Sequence, residues 1–117
     1  MGQFTVPVTV HPPESGPPIV IEALVDTGAA YSVMPEPLAA SIGYRHMRSQ
    51  AVVLADGRAE DWPLVQMDWE CGGRRAISPV LLGPVDSSIL LGAVTLQLWS
   101  LGIDPVNHLL MPVRARL

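Results

Sequence analysis

Charge, cysteine and long apolar runs are all scarce in this 117-residue chain. Charged residues make up only 15% of it, the formal net charge is -4, and no run of Lys or Arg is long enough to suggest a polyanion-binding face. Nucleic acid is therefore not expected as a partner. No apolar stretch reaches the roughly 18 residues that span a bilayer, so we expect no membrane partner either.

The chain has one cysteine, Cys71, and three histidines. A single cysteine cannot form an intrachain disulfide, so an oxidising compartment is not implied, and we expect Cys71 to be a small buried apolar residue. The histidines are too scattered for a metal site. Because residues 1–4 lack the basic and apolar regions of a secretory signal, we expect a soluble, cytoplasmic protein.

Apolar residues, in contrast, make up 49% of the chain, and 12 prolines and 10 glycines are spread along it. The apolar content is enough for one compact domain over residues 1–117 and too little for two. Prolines and glycines that are spread in this way punctuate many short elements, which favours β structure.

Periodicity and turn signals predict the individual elements. Strands are predicted over residues 4–10, 19–25, 32–34, 50–54, 64–69, 76–82, 89–91, 101–103 and 108–113. Helical turns are predicted over residues 35–42, closed by Gly43, and over residues 93–99. Segment 19–25 is a nearly continuous, β-branched apolar run, which is typical of a strand that is central in a sheet or buried on both faces.

Residues 50–69 have the pattern of a β-hairpin. Two apolar runs flank a segment with the turn signal Asp56-Gly57. The intervening residues 55–61 are mostly polar. We therefore expect a hairpin with a long polar tip.

Asp26 stands where the apolar run 19–25 ends, and it is followed by Thr27 and Gly28. A carboxylate at the end of a buried strand is expensive, because desolvation disfavours its charged form, so its presence suggests a function. The threonine hydroxyl can make a fixed hydrogen bond, and glycine allows close approach of the backbone. Taken alone, Asp-Thr-Gly is also ordinary turn chemistry.

The flanking segments narrow the interpretation. Residues 24–29 read Leu-Val-Asp-Thr-Gly-Ala, residues 32–35 read Ser-Val-Met-Pro, and residues 89–92 read Ile-Leu-Leu-Gly. Their order and spacing, with the 50–69 hairpin between them and closing segments over residues 100–112, resemble the retropepsin-like aspartic proteases, in particular small prokaryotic single-domain members.

The resemblance implies a fold and an activity. The fold would be mostly β, a closed or partly open β-barrel-like acid protease fold of one lobe, with one short C-terminal helix, paired as a two-fold homodimer. The activity would be that of an aspartic endopeptidase, in which Asp26 of each subunit forms a dyad that activates water. The dyad would titrate in two steps that belong to the pair, with activity on the acidic side of neutral. The implied partners are a second copy of the chain and a peptide or protein substrate, with no cofactor and no metal.

Roles for individual residues also follow from the resemblance. Asp26 would be catalytic, with support from the rest of its loop: Thr27, Gly28 and Ala29. A second motif would pack under that loop: Leu91 and Gly92. The hairpin would be a flap that closes over substrate, with substrate-binding residues Ala55, Asp56, Gly57, Arg58 and Trp62.

Two positions depart jointly from the viral members of the family. Those enzymes have an Asp where this chain has Ala30 and an Arg where it has Ala93, and the two residues form a salt bridge. Their joint replacement removes one support of the dimer and leaves the chemistry of Asp26 unaffected.

Two other interpretations remain open from the sequence. The same fold could be a non-catalytic dimerisation or peptide-binding module that keeps Asp26, because function depends on the site and not on the fold. Alternatively, the chain could be a β-barrel ligand binder with an incidental Asp-Thr-Gly. A strict monomer could not be a protease by the dyad mechanism, so the oligomeric state separates the first alternative from the enzyme.

Overall fold

The computed structural model describes residues 3–114 and is mostly β, with 50% of residues in strands and 12% in helices, which confirms the expected class. The strands are β1 Thr5–Val10, β2 Ile19–Val25, β3 Ser32–Pro35, β4 Arg48–Val53, β5 Ala59–Cys71, β6 Arg74–Gly83, β7 Leu90–Leu91, β8 Leu101–Asp104 and β9 Leu109–Pro112. The helices are α1 Glu36–Ile42 and α2 Ala93–Leu98. Neither helix has the length and apolar character that crossing a bilayer would require within residues 3–114.

Seven strands form one sheet in the order β1-β2-β7-β3-β6-β5-β4, and a further pairing of β1 with β5 joins the sheet into a ring. Strand β7 is only two residues long, yet it lies between β2 and β3, parallel to β2 and antiparallel to β3. This insertion places Leu91 beside Val25, directly before Asp26. Strands β8 and β9 form a separate two-stranded sheet.

The hydrophobic core consists of buried side chains from strands of the ring and from both helices. Along β1, Val8 and Val10 are buried and Val6 is half-buried, so the alternating face predicted for residues 4–10 is confirmed. The centre of the core contains Trp69 and Trp99, whose rings are 5.5 Å apart. Apolar burial of this kind is the main term that stabilises the fold.

Helix α1 ends where the sequence predicts and begins one residue later than predicted, at Glu36. Its last turn is closed by Gly43, which has φ = +111° and donates its amide to the carbonyls of Ala39 and Ala40. A left-handed conformation of this kind is accessible to glycine at little cost, which explains the stop. Cys71 is buried and free, as expected, and burial raises the pKa of its thiol.

Strand β2 lies between β1 and β7, which agrees with the expectation of a central strand, although its first half is exposed, with Val20 66% accessible. The expectation for the hairpin needs correction. The hairpin has longer strands and a shorter tip than expected, since β4 and β5 pair as far as Val53 and Ala59. Residues 59–61 therefore belong to β5, because pairing with β4 overrides their weak β propensity.

A hydrogen-bonded group fastens the Pro-rich loop, residues 11–18, to β5. The hydroxyl of Tyr44 donates to the carbonyl of His11 at 2.6 Å and accepts from the amide of Asp68 at 3.0 Å. Burial raises the pKa of Tyr44. The carboxylate of Asp68 in turn accepts two bonds from Arg75, at 2.9 and 2.8 Å. These bonds keep the pKa of Asp68 below its usual value.

A pH-dependent effect on stability follows for Asp68→Asn. Because the pKa of Asp68 is lowered in the folded state, its stabilising contribution is present above the unfolded-state pKa of about 3.9 and is lost as the pH falls through the folded-state value. We expect Asp68→Asn to lower Tm at pH 7, and the difference to shrink below about pH 4. The pair is partly exposed, so the effect should be small.

Thermal denaturation between pH 7 and pH 3 measures this difference. Asp86→Asn, in an exposed turn, is the matched control and should change Tm little at either pH. A Tm difference for Asp68→Asn that stays constant over this range would contradict the assignment.

Candidate active site

Asp26 begins the loop that joins β2 to β3, residues 26–31, and this loop is held where β7 enters the sheet. The amide of Asp26 donates to the carbonyl of Leu91 at 3.0 Å, and the amide of Leu24 donates to the carbonyl of Ile89 at 2.8 Å. The backbone that leads into the loop is therefore fixed on both sides of Val25. The Asp26 side chain itself is half-buried and reaches an open cavity.

The turn after Asp26 orients its carboxylate. The amide of Gly28 donates to Asp26 Oδ1 at 3.0 Å, and the amide of Ala29 donates to the backbone carbonyl of Asp26 at 3.2 Å. A Cβ atom on residue 28 would lie 3.2 Å from the same Oδ1, so glycine permits this close approach. Thr27 is exposed. The loop thus presents one carboxylate, held by an amide donor and open to solvent.

The segment after β7 lies directly under the loop. The amides of Ala93 and Val94, in the first turn of α2, donate to the carbonyls of Ala29 and Ala30 at 2.9 and 3.0 Å. Gly92 lies so close to the loop that a Cβ atom on it would be 2.5 Å from the carbonyl carbon and oxygen of Tyr31. Backbone bonds therefore join the two segments directly at Ala30 and Ala93.

A chain of buried hydroxyl groups continues below this contact. Ser32 Oγ accepts the amide of Gly92 at 3.0 Å and lies 2.5 Å from Thr95 Oγ1, which lies 3.0 Å from Ser78 Oγ. Ser78 Oγ in turn accepts the indole N–H of Trp69 at 2.8 Å. Sequence analysis did not predict this chain of hydroxyl groups. The available signal was a polar residue in an apolar stretch, such as Thr95 between Val and Leu.

The cavity next to the Asp26 carboxylate has a volume of about 520 Å³. The loop forms one side of it, and the β8–β9 hairpin and the start of the chain form the other. Its remaining lining residues are Gln3, Phe4, Val25, Ile103, Pro105 and His108. The rings of Phe4 and His108 stack at 6.1 Å. Sequence analysis gave no role to these two residues, because the return of β8–β9 to the loop is a tertiary feature without a local pattern.

The expected flap residues lie elsewhere in this single chain. At the hairpin tip, Asp56 accepts a bond from Arg58 Nε at 2.7 Å, and Gly57 has φ = +88°. Trp62 packs near Gly83 beside a separate cavity of about 460 Å³. Thus neither the tip nor Trp62 lines the cavity at Asp26, whereas the loop, Leu91 and Gly92 do come together.

Across residues 3–114, no three side chains of His, Cys, Asp or Glu converge in the way that a metal ion requires. The polar side chains that line the cavity are those of Asp26, Thr27, Gln3 and His108, and Asp26 supplies the carboxylate among them.

Among curated proteins, none matches this chain significantly. The family model of the aspartyl proteases, however, matches residues 6–94, which include the Asp26 loop, the β4–β5 hairpin and the Leu91-Gly92 segment. The match covers most of the chain and confirms the resemblance seen in the sequence. The chain therefore belongs to the aspartyl protease family, as a small retropepsin-like member.

Proposed function

We propose that the protein is an aspartic endopeptidase that acts as a homodimer, with Asp26 of each subunit near the two-fold axis. The observation that supports this most directly is the Asp26 carboxylate itself. It accepts the amide of Gly28, it lies at the end of a fixed strand, and it is accessible from an open cavity. The family supports peptide hydrolysis in general, and the dyad is the mechanism we add to it.

The chemistry requires two carboxylates that share one proton. The ionised Asp26 takes a proton from water, whose oxygen attacks the peptide carbonyl carbon. The neutral Asp26 of the second copy gives its proton to the carbonyl oxygen, which yields a tetrahedral diol. The first Asp26, now neutral, gives its proton to the peptide nitrogen, and the ionised Asp26 of the second copy takes a proton from one hydroxyl of the diol. The C–N bond then breaks and releases an acid and an amine. Each proton that is taken up is returned, so the dyad is regenerated.

A second copy of the chain is the natural source of the second carboxylate, because a two-fold interface repeats each residue. Large apolar side chains are exposed on α2 and the β8–β9 hairpin, between 43 and 85% accessible, and we call them the C-terminal apolar surface: Leu98, Val106, Leu109, Met111 and Val113. Exposed apolar groups of this kind mark interaction sites. Because the same hairpin lines the Asp26 cavity, burying this surface against a second copy would bring the two loops together.

The remaining site residues have supporting roles in this proposal. Thr27 is exposed at the loop and would bond across the axis, while Gly28 donates its amide to the dyad. The β4–β5 hairpin would close as a flap over an extended peptide, and Val53 near its tip is 76% exposed and available for contact. Asp56 and Arg58 would shape the tip through their ion pair, and Trp62 would support the base of the flap.

The test is the dependence of activity on protein concentration. A peptide library is digested at acidic pH over a wide range of enzyme concentrations, with and without pepstatin, and sedimentation measures the oligomeric state. We expect the rate per chain to rise as dimers form and then to level off, and pepstatin to stop cleavage. A constant rate per chain in a sample that sediments as monomer would contradict the proposal.

A non-catalytic peptide-binding module is the second candidate. The ion pair at the hairpin tip favours it, because a polar tip that is tied to itself is less suited to close over a substrate. Such a module would retain peptide without releasing cleaved products, and it would do so equally well after Asp26→Asn. The same digest therefore separates the two candidates.

A further inference from the structure

The hydroxyl chain beneath the active-site loop does more than fill the core. Ser32, Ser78 and Thr95 are the fully buried polar residues among residues 3–114, each with 0% exposure. Buried hydroxyl groups are costly unless they are bonded, and every buried side-chain polar atom in the described part of the chain has a partner. A satisfied buried network of this kind gives a structure one defined arrangement.

The chain of hydroxyl groups is linked to the active site by its position. Ser32 is the first residue of β3, directly after the Asp26 loop. The upstream end of this loop is held by backbone bonds to β7. At the downstream end, the Ser32 hydroxyl accepts the amide of Gly92 and contacts Thr95 of α2. Side-chain hydroxyls therefore tie the exit of the loop to the helix whose first amides bond to the loop carbonyls.

Thr95 is the central member of this chain. Its hydroxyl lies within hydrogen-bond distance of both Ser32 and Ser78. A hydroxyl has one hydrogen and two lone pairs, so Thr95 can serve both neighbours at once. Trp69 bonds to Ser78 at the far end, which anchors the chain in the aromatic core. Removal of the Thr95 hydroxyl would break both contacts and separate the loop from that anchor.

We infer that Ser32, Thr95 and Ser78 are positioning residues, which set the placement of the Asp26 carboxylate through this buried chain. The inference rests on the proposed function, because placement matters most where two carboxylates must meet. An error of about 1 Å in such a placement can reduce the rate about 100-fold. None of the three residues touches the reacting atoms, so their effect should fall on kcat and not on the binding of substrate.

The central test compares Thr95→Val with Thr95→Ser. Valine keeps the shape of threonine without the hydroxyl, whereas serine keeps the hydroxyl and loses a methyl group. At concentrations where the dimer is saturated, we expect Thr95→Val to lower kcat about 10- to 100-fold with KM changed by less than about threefold. Thr95→Ser should stay within about threefold of wild type in both. Ile42→Val, at the buried last residue of α1, is the control for lost packing.

Hydrogen exchange supplies a second readout that does not need catalysis. The amides of Ala93 and Val94 report directly on the contact between α2 and the loop. We expect them to exchange at least about 10-fold faster in Thr95→Val than in Ile42→Val. If the wild-type protein cleaves no peptide, the proposed function has failed, and this exchange still decides the inference.

Two outcomes for the Thr95 variants would overturn the inference. One is that Thr95→Val matches Ile42→Val in kcat and in the exchange of the Ala93 and Val94 amides. The other is that Thr95→Ser has as low a kcat as Thr95→Val. If Thr95→Val does not fold, Ser78→Ala takes its place, because Ser78 bonds to Thr95 and Trp69 and has no bond to the loop. Faster exchange of Ala93 and Val94 in Ser78→Ala would support the inference, and unchanged exchange would refute it.

Discussion

Asp26→Asn is expected to reduce kcat by about 1,000-fold or more while the fold and the dimer stay intact. Asparagine has nearly the same shape as aspartate, and its side-chain oxygen can still accept the amide of Gly28. It cannot take a proton from water at any working pH, so the dyad loses its base and its shared proton. Peptide cleavage by wild type and variant at acidic pH measures the effect, and sedimentation and Tm verify the fold.

Mixing the two proteins tests the dyad more sharply than either protein alone. If subunits exchange, a mixed dimer has only one carboxylate at the axis and should be inactive. With a ninefold excess of Asp26→Asn, only about one wild-type chain in ten finds a wild-type partner, so activity per wild-type chain should fall about tenfold. Asp86→Asn, in an exposed turn outside the hairpin, is the matched control and should have no effect alone or in the mixture.

The outcome of mixing separates two kinds of enzyme. Full activity of wild-type chains in the mixture, under conditions where subunits exchange, would mean that each chain acts alone. A second carboxylate would then have to come from the same chain. No other carboxylate lines the Asp26 cavity in the described part of the chain, so that outcome would refute the proposed mechanism.

Most element positions could be predicted because they depend on local signals. The end of α1 at Gly43 and the turn at Gly72-Gly73 both depend on glycines with positive φ, and the position of a glycine is visible in the sequence. The Asp26 loop was also recognisable, because a carboxylate at the end of an apolar run is unusual wherever it occurs. Such features need no knowledge of what packs against them.

Features that depend on distant segments could not be predicted. The apolar run around Leu91 gives no indication that β7 is only two residues long and lies between β2 and β3. The same holds for the hydroxyl chain, since Ser32 and Thr95 are 63 residues apart. The exposed start of β2, Ile-Val-Ile, is as apolar as its buried end, Ala-Leu-Val, so composition does not show which half of the strand other segments cover.

Gly92→Ala is expected to have the largest effect on stability. The φ of Gly92 is -91°, which any residue can adopt, so the requirement for glycine here is space and not backbone freedom. An added Cβ atom would lie 2.5 Å from the carbonyl group of Tyr31 and 2.9 Å from the carbonyl oxygen of Ala29. Both carbonyl groups belong to the backbone of the Asp26 loop, so the loop itself would have to move. We expect a loss of about 3 kcal/mol or more in the free energy of unfolding.

Gly57→Ala is the matched control, because it separates strain from lack of space. Gly57 has φ = +88° at the hairpin tip, and an added Cβ atom there would meet nothing within 4 Å. Its cost should be that of the backbone conformation, about 1 kcal/mol. Urea denaturation of both variants measures the difference, and equal losses would contradict the close packing of Gly92 under the loop. Because relief of the clash must displace the Asp26 loop, the folded fraction of Gly92→Ala should also have a lower kcat. Gly57→Ala should change KM more than kcat if the hairpin closes over substrate.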